Sequence, residues 1–194
     1  MINLPKHLAI IMDGNSRWAE NRKKAKIDGY KKGSQVACDI AEYCATLAIP
    51  YLTLYAFSME NWLRPKNETE SIFDLFYSML IDREKFNFIS NCNIKLNFIG
   101  DLSLLSEKIL EQINQVEEIT HSNDGLLLTI AVSYGARQEI VQAVNFAIKN
   151  NMGYVSENEF EKLLYTKDLP PLDLLIRTGK EKRLSNFLLW QSAY

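Results

Sequence analysis

The chain has 194 residues, of which 47% are hydrophobic and 24% charged, and its formal net charge is −2. That length suits one domain with a substantial buried core, and the composition excludes a disordered, fibrous or collagen-like chain. Without a basic excess the chain does not read as a nucleic-acid binder, so any anion site must be a local cluster of arginines.

The opening residues Met1 to His7 lack the basic start, long apolar centre and small-residue cleavage site of a signal peptide. No apolar run approaches the ~20 residues that span a bilayer. The three cysteines, Cys38, Cys44 and Cys92, form no CxxC pair, and an odd number fits free thiols in a reducing compartment. A cytoplasmic protein with peripheral membrane contact at most is expected.

In chain order, His7 to Met12 (HLAIIM) reads as a short buried strand opening into the tight loop Asp13-Gly14-Asn15. Helical patterns follow over Arg17 to Lys24 and Lys31 to Leu47. A second buried strand, Tyr51 to Phe57, ends in the polar loop Ser58 to Pro65, where the proline argues against regular structure. The apolar pattern from Glu68 to Phe86 predicts a long helix with a wide hydrophobic face. Strand Asn93 to Ile99, helix Leu102 to Ile119, strand Leu126 to Val132 and helix Arg137 to Lys149 continue the alternation. A short helix over Ser156 to Leu164 and a strand over Asp173 to Ile176 come next, and Ser185 reads as the N-cap of a final helix, Asn186 to Tyr194. Five strands alternating with helices predict a single α/β domain with a mostly parallel central sheet covered on both faces.

In such sheets ligands bind beyond the carboxyl ends of the strands. Gly14, Asn15 and Ser16 let the backbone approach an anion at a helix start, and Asp13 beside that anion calls for a bridging cation, most economically Mg²⁺. The same loop also reads as an Asx-turn that merely caps the helix. Arg177, Arg183 and Ser185 lie within nine residues. They are either a bidentate phosphate clamp or a solvated charged loop. The apolar face around Ile72, Phe73, Leu75, Phe76, Met79 and Leu80 is either core or the wall of a hydrocarbon cavity. His7 and His121 have no metal-like spacing, and Gly179-Lys180 lacks the remainder of a P-loop.

Four segments, HLAIIMDGNSRWA (7–19), LTLYAFSMENWLRP (52–65), SYGARQEI (133–140) and DLLIRTGKEKRLSNFLLWQSAY (173–194), resemble the motifs of the cis-prenyltransferases in family order across nearly the whole chain. The resemblance implies a homodimeric enzyme with an apolar tunnel. It would condense isopentenyl diphosphate repeatedly with an allylic diphosphate such as farnesyl diphosphate, giving a long Z-polyprenyl diphosphate such as undecaprenyl diphosphate. By matching position, Asp13 would bind Mg²⁺ and act with Asn61 in catalysis. Gly14, Asn15, Ser16, Arg17 and Trp18 would hold the allylic diphosphate, assisted by Lys26 and Tyr30. Ser58, Met59, Glu60, Asn61, Trp62 and Arg64 would form a mobile loop over the reacting carbons, and Arg177, Arg183 and Ser185 would hold isopentenyl diphosphate.

Ser16, Lys26, Tyr30 and Lys180 depart from the family pattern, where a Gly, an Arg, a His and a small residue are usual. The resemblance also implies parts beyond Tyr194: a Glu that helps bind Mg²⁺, a further strand and an Arg-x-Gly segment. These departures keep a second reading in view, a non-catalytic subunit that binds lipid diphosphates. No Asp-Asp-x-x-Asp cluster of the trans-prenyltransferases occurs.

Overall fold

A computed structural model describes residues 4–82, 84 and 89–193. Five strands, β1 (His7–Ile11), β2 (Tyr51–Ser58), β3 (Ile94–Ile99), β4 (Leu126–Tyr134) and β5 (Leu174–Arg177), form one sheet in the order β3-β4-β2-β1-β5. Every pairing is parallel. The inner strands β1, β2 and β4 are the continuous apolar runs of the sequence, as burial on both faces requires.

Alternate side chains define two cores. Leu8, Ile10, Leu52, Leu54, Leu96 and Leu128 face α2 (Lys26–Thr46), α3 (Lys66–Leu80) and α4 (Glu107–Thr120), meeting Ala41, Cys44, Leu80, Ile109, Ile113 and Val116. Ala9, Ile11, Tyr55 and Ala131 face the opposite way, against Ala136 of α5 (Ala136–Lys149) and the buried pair Phe187 and Leu188. A short helix, α6 (Glu157–Glu161), lies between α5 and β5.

Several boundaries differ from the sequence expectations. The first helix, α1, is Asn15–Glu20, not 17 to 24, because Gly14 takes a left-handed φ of 100° as its N-cap. Helix α2 starts at Lys26, five residues before the expected start, and carries Gly29 and Gly33 in its interior. The expected helix 102–119 is broken: a 3₁₀ turn, Leu102–Leu104, is followed by extended Leu105, and α4 then runs from Glu107. Helix α3 ends at Leu80; the remainder of that expectation, to Phe86, includes residues outside those described. The final helix is absent over 186–193, which form turns and bends; Tyr194 lies outside the described residues. Ser185 has φ 49°, Asn186 φ 61° and Leu188 φ 45°, left-handed values that a right-handed helix through these residues does not allow.

At the amino ends of the strands, His7 is fully buried, with Nδ1 3.0 Å from the Pro170 carbonyl and Nε2 2.8 Å from Thr53 Oγ1. A carbonyl only accepts, so Nδ1 carries the proton and Nε2 accepts from the Thr53 hydroxyl. Burial lowers the His7 pKa below its usual 6.5, against weaker raising contributions from the Pro170 bond and the Asp173 charge. The unfolded chain therefore binds a proton near pH 6.5 that the folded chain still refuses. Stability conferred at neutral pH falls as pH drops below 6.5, down to the folded value. The urea midpoint of the wild type should decrease from pH 7 towards pH 5.5, and a His7→Gln variant should show a flatter profile over that window.

Candidate active site

The loop after β1 and the loop after β5 meet backbone to backbone. A Cβ on Gly14 would stand 3.1 Å from Gly179 Cα, and one on Gly179 (φ 80°) would stand 3.0 Å from Gly14 N. Only residues without a side chain permit that approach. It lets the Thr178 hydroxyl donate to the Asp13 carbonyl at 2.6 Å. It also brings Asp13 to Arg177: Oδ2 accepts from Nη2 at 2.8 Å and Nε at 3.3 Å, while Oδ1 accepts from the Gly14 amide at 2.6 Å and lies 3.3 Å from Arg17. Partial burial raises the Asp13 pKa, but the Arg177 bond, the Gly14 amide and the two guanidinium charges outweigh it and hold the carboxyl below its usual range.

Arg177, only 10% exposed, turns its remaining nitrogen to the second anion loop, donating to the Arg183 carbonyl at 2.5 Å and to Ser185 Oγ at 2.7 Å. One guanidinium thus joins the expected metal ligand to the expected second phosphate site. The Arg183 guanidinium itself pairs with Glu181, which also takes Arg17 at 3.1 Å. Arg183 therefore contributes its backbone here rather than a second fork.

A second polar cluster forms on Glu68, which sequence reasoning missed. Tyr30 Oη donates to Glu68 Oε1 at 2.8 Å and accepts from Arg64 at 2.7 Å, and Arg64 also donates to Glu68 at 2.7 Å. Lys26 completes the set at 3.4 Å. Since the only Tyr30 proton goes to Glu68, the contact of 3.0 Å with Ser16 is a bond donated by the serine. Two departures from the cis-prenyltransferase pattern, Ser16 and Tyr30, are thus partners of one another. Burial raises the Glu68 pKa, but Tyr30, Arg64 and Lys26 together lower it further.

The loop after β2 is ordered as a 3₁₀ turn, Met59–Leu63, not irregular as the proline suggested. Ser58 accepts from the Asn61 amide while Asn61 Oδ1 accepts from the Ser58 amide, a reciprocal cap legible as Ser-x-x-Asn. Register shifts against β4 at Phe57 and Ser58 re-aim the strand end. Trp62 stacks on Phe73 with ring centroids 5.0 Å apart and donates to Ser133 Oγ at 2.8 Å; Ser133 in turn donates to Met59 sulfur at 3.7 Å.

Beneath these groups a cavity of about 560 Å³ opens between α2, α3 and the sheet. Asp13, Asn15, Tyr30, Ser58, Glu60, Asn61, Arg64, Arg177 and Ser185 form its polar part; Ala37, Leu54, Phe57, Ile72, Leu75, Phe76, Met79 and Ile130 line its apolar body. The apolar face of α3 is therefore both core and cavity wall. Trp18 does not join the lining; its ring lies under the Arg22 guanidinium at 4.5 Å.

Asn15 is wedged against α2. A Cβ on Gly29 would lie 2.1 Å from the Asn15 carbonyl oxygen, and one on Gly33 would lie 2.6 Å from Asn15 Oδ1. Gly29→Ala should therefore destabilise the protein by about 1–3 kcal/mol, the overpacking cost exceeding the gain of about 0.5–1 kcal/mol in helix propensity. Thermal melting should register it, since Asn15 must shift.

Two further groups escaped the sequence reading. Asn186 accepts from the Arg137 amide at 2.9 Å, capping α5 across the chain, and donates to Glu60 at 2.9 Å. Glu139, 2% exposed, accepts from the Tyr134 hydroxyl at 2.6 Å, the Tyr165 amide at 2.9 Å and Gln191 at 3.2 Å. Burial raises its pKa against those bonds, and burial together with the Glu139 charge raises that of Tyr134. This buried carboxylate ties the segment after Ser185 to the end of β4.

Among the described residues no group of three or more His, Cys, Asp or Glu side chains could cage a metal. A single carboxylate suits Mg²⁺, which keeps water and takes most of its ligands from substrate phosphates. Asp13, flanked by Arg17 and Arg177, fits that mode.

Acid, guanidinium groups and apolar cavity define a site for an amphiphile with an anionic head, on an α/β sheet. A family model described as putative undecaprenyl diphosphate synthase matches residues 11–194. An isoprenyl transferase of Fusobacterium nucleatum is 45% identical over 99% of this chain and 82% of its own length. A ditrans,polycis-undecaprenyl-diphosphate synthase, (2E,6E)-farnesyl-diphosphate specific, of Buchnera aphidicola is 43% identical over 97% of this chain and 78% of its own. Lavandulyl diphosphate synthase of Lavandula x intermedia, solved with dimethylallyl diphosphate, superposes with a TM-score of 0.90 at 32% identity, covering 96% of this chain and 83% of that one. A probable undecaprenyl diphosphate synthase of Campylobacter jejuni gives 0.79 at 38% identity, covering 100% and 84%. The chain belongs to the undecaprenyl diphosphate synthase family of prenyltransferases.

Proposed function

We propose that this prenyltransferase extends farnesyl diphosphate with successive isopentenyl diphosphate units to a long Z-polyprenyl diphosphate, with Mg²⁺ as cofactor. The observation that carries this reading is Arg177, which bonds Asp13 on one side and Ser185 on the other, directly above the apolar cavity. Asp13 would hold Mg²⁺, which when bound neutralises charge on the departing diphosphate. Gly14, Asn15 and the start of α1 orient the allylic head, with Arg17 beside it. As the allylic carbon–oxygen bond breaks, the double bond of isopentenyl diphosphate forms the new carbon–carbon bond and a proton leaves the adduct. The turn carrying Asn61, Trp62 and Arg64 covers the reacting carbons and excludes water that would trap the cation. Lys26 and Tyr30, held on Glu68, support Arg64 in that position.

Full-length protein incubated with labelled isopentenyl diphosphate and farnesyl diphosphate should incorporate label only with Mg²⁺, and EDTA should abolish incorporation. Chromatography of the extract reads product length. Binding without turnover would instead favour the non-catalytic subunit.

The second copy of a homodimer would cover α5, whose Val141, Val144 and Ile148 share one face and are 57%, 44% and 69% exposed. Sedimentation should give a dimer, and Val144→Glu should shift it to monomer. Cys38, Cys44 and Cys92 are not joined in disulfides, which supports a reducing, cytoplasmic setting. Among the described residues no helix is long and apolar enough to cross a membrane.

A further inference from the structure

The chain segregates its charge. Arg22, Lys23, Lys24, Lys26, Lys31 and Lys32 place six cations among eleven residues against one acid, Asp28, although the whole chain carries −2. All six are exposed. Lys26 pairs with Glu68; among the described residues the other five have no carboxylate partner, and Arg22 and Lys24 instead sit 4.5 and 5.9 Å from the Trp18 ring centroid. A charge run with a single ion pair among six cations is a surface suited to an external anion.

Its position is specific. Lys31 and Lys32 lie on α2 between Tyr30 and Gly33, both of which line the cavity. Opposite stands Leu63, 88% exposed on the turn after β2, adjacent to Arg64, whose guanidinium closes on Tyr30. Basic residues, an amphipathic indole and a protruding leucine on segments adjoining the cavity lining match the layered chemistry of a bilayer surface: anionic headgroups outside, hydrocarbon just beneath. Neither a free phosphate nor a nucleic acid would require the leucine.

We propose that residues 22–32, with Trp18 and Leu63, form a docking surface for an anionic lipid bilayer on the side of the cavity where Tyr30, Gly33 and Arg64 line it. The docked protein faces its opening to the lipid phase, so a hydrocarbon product can leave without crossing water. The surface rests on its own charge and exposure; the role in product exit rests on the prenyl-transfer reading.

Full-length protein should co-sediment with phosphatidylcholine vesicles containing phosphatidylglycerol and not with phosphatidylcholine alone, and 0.5 M NaCl should release it, since the Debye length there is only a few ångströms. Lys23→Glu, Lys24→Glu, Lys31→Glu and Lys32→Glu combined should weaken partitioning by about a hundredfold or more. Leu63→Ser should weaken it by about tenfold through lost apolar burial. The four corresponding Lys→Gln changes, a milder set, should give an intermediate loss if the Glu variant folds poorly. Equal binding to neutral vesicles, undiminished binding of both charge variants, or displacement by millimolar inorganic diphosphate would overturn the proposal, as would capture by RNA without vesicle binding. Partitioning needs no turnover, so an inactive protein that docks would sink the prenyl-transfer reading and leave the surface standing.

Discussion

Asp13→Ala is expected to lower kcat for isopentenyl incorporation by about three orders of magnitude while leaving the affinity for the allylic diphosphate intact or tighter. The split follows from the neighbours of the carboxylate. Asp13 repels a bound diphosphate and simultaneously neutralises Arg17 and Arg177, at 3.3 and 2.8 Å. Removing it frees two guanidinium groups for the ground-state anion but takes away a carboxylate that would hold Mg²⁺ at the leaving group. The Mg²⁺ concentration for half-maximal rate should rise sharply. Steady-state kinetics across a Mg²⁺ series, with calorimetric titration of an allylic diphosphate, separates the two effects; full incorporation by the variant defeats the mechanism.

The second large effect is expected at Arg177→Lys, which should reduce kcat/KM for isopentenyl diphosphate by about 10²–10³-fold. The guanidinium donates in two directions at once, through Nε and Nη2 to Asp13 and through Nη1 to the Arg183 carbonyl and Ser185. An ammonium is a point charge that reaches one of these places and leaves the others unmatched. Each charge-assisted bond lost amounts to about 1.5–3 kcal/mol. Two such bonds lost amount to about 10²–10⁴-fold, and the positive charge that lysine keeps holds the reduction in the lower part of that range. Ser185→Ala removes only one acceptor and should fall well short of it, by about tenfold. A rate for Arg177→Lys within threefold of wild type would show that charge alone suffices.

The strands and their loops were legible because burial on both faces writes itself as an unbroken apolar run, as in His7–Ile11 and Tyr51–Ser58. Asp13 and Arg177 were legible from the motifs around them, but their mutual contact was not, since it depends on two glycines meeting across 165 positions of chain. Glu68 and Glu139 were missed for the same physical reason. Each has a near partner, Arg64 and Tyr134, but the contacts that build the clusters reach 38 residues to Tyr30 and 52 to Gln191, and no local pattern marks those. Helix α2 was started late because Gly29 is a poor helix former in isolation; the contact with Asn15 overrides that propensity. At Ser185 the side chain suggested a helix cap, but Arg177 claims its hydroxyl, and burial of Phe187 and Leu188 against Tyr55 and Tyr134 sets a backbone that no helix follows.

The Gly14–Gly179 contact has a thermodynamic consequence. With no side chain between them to absorb displacement, the loop after β1 cannot settle on a ligand without also fixing the loop after β5. The two substrates are then linked in equilibrium. Whatever factor the first applies to the affinity of the second, the second must return to the first, so the order of addition becomes a matter of rates alone.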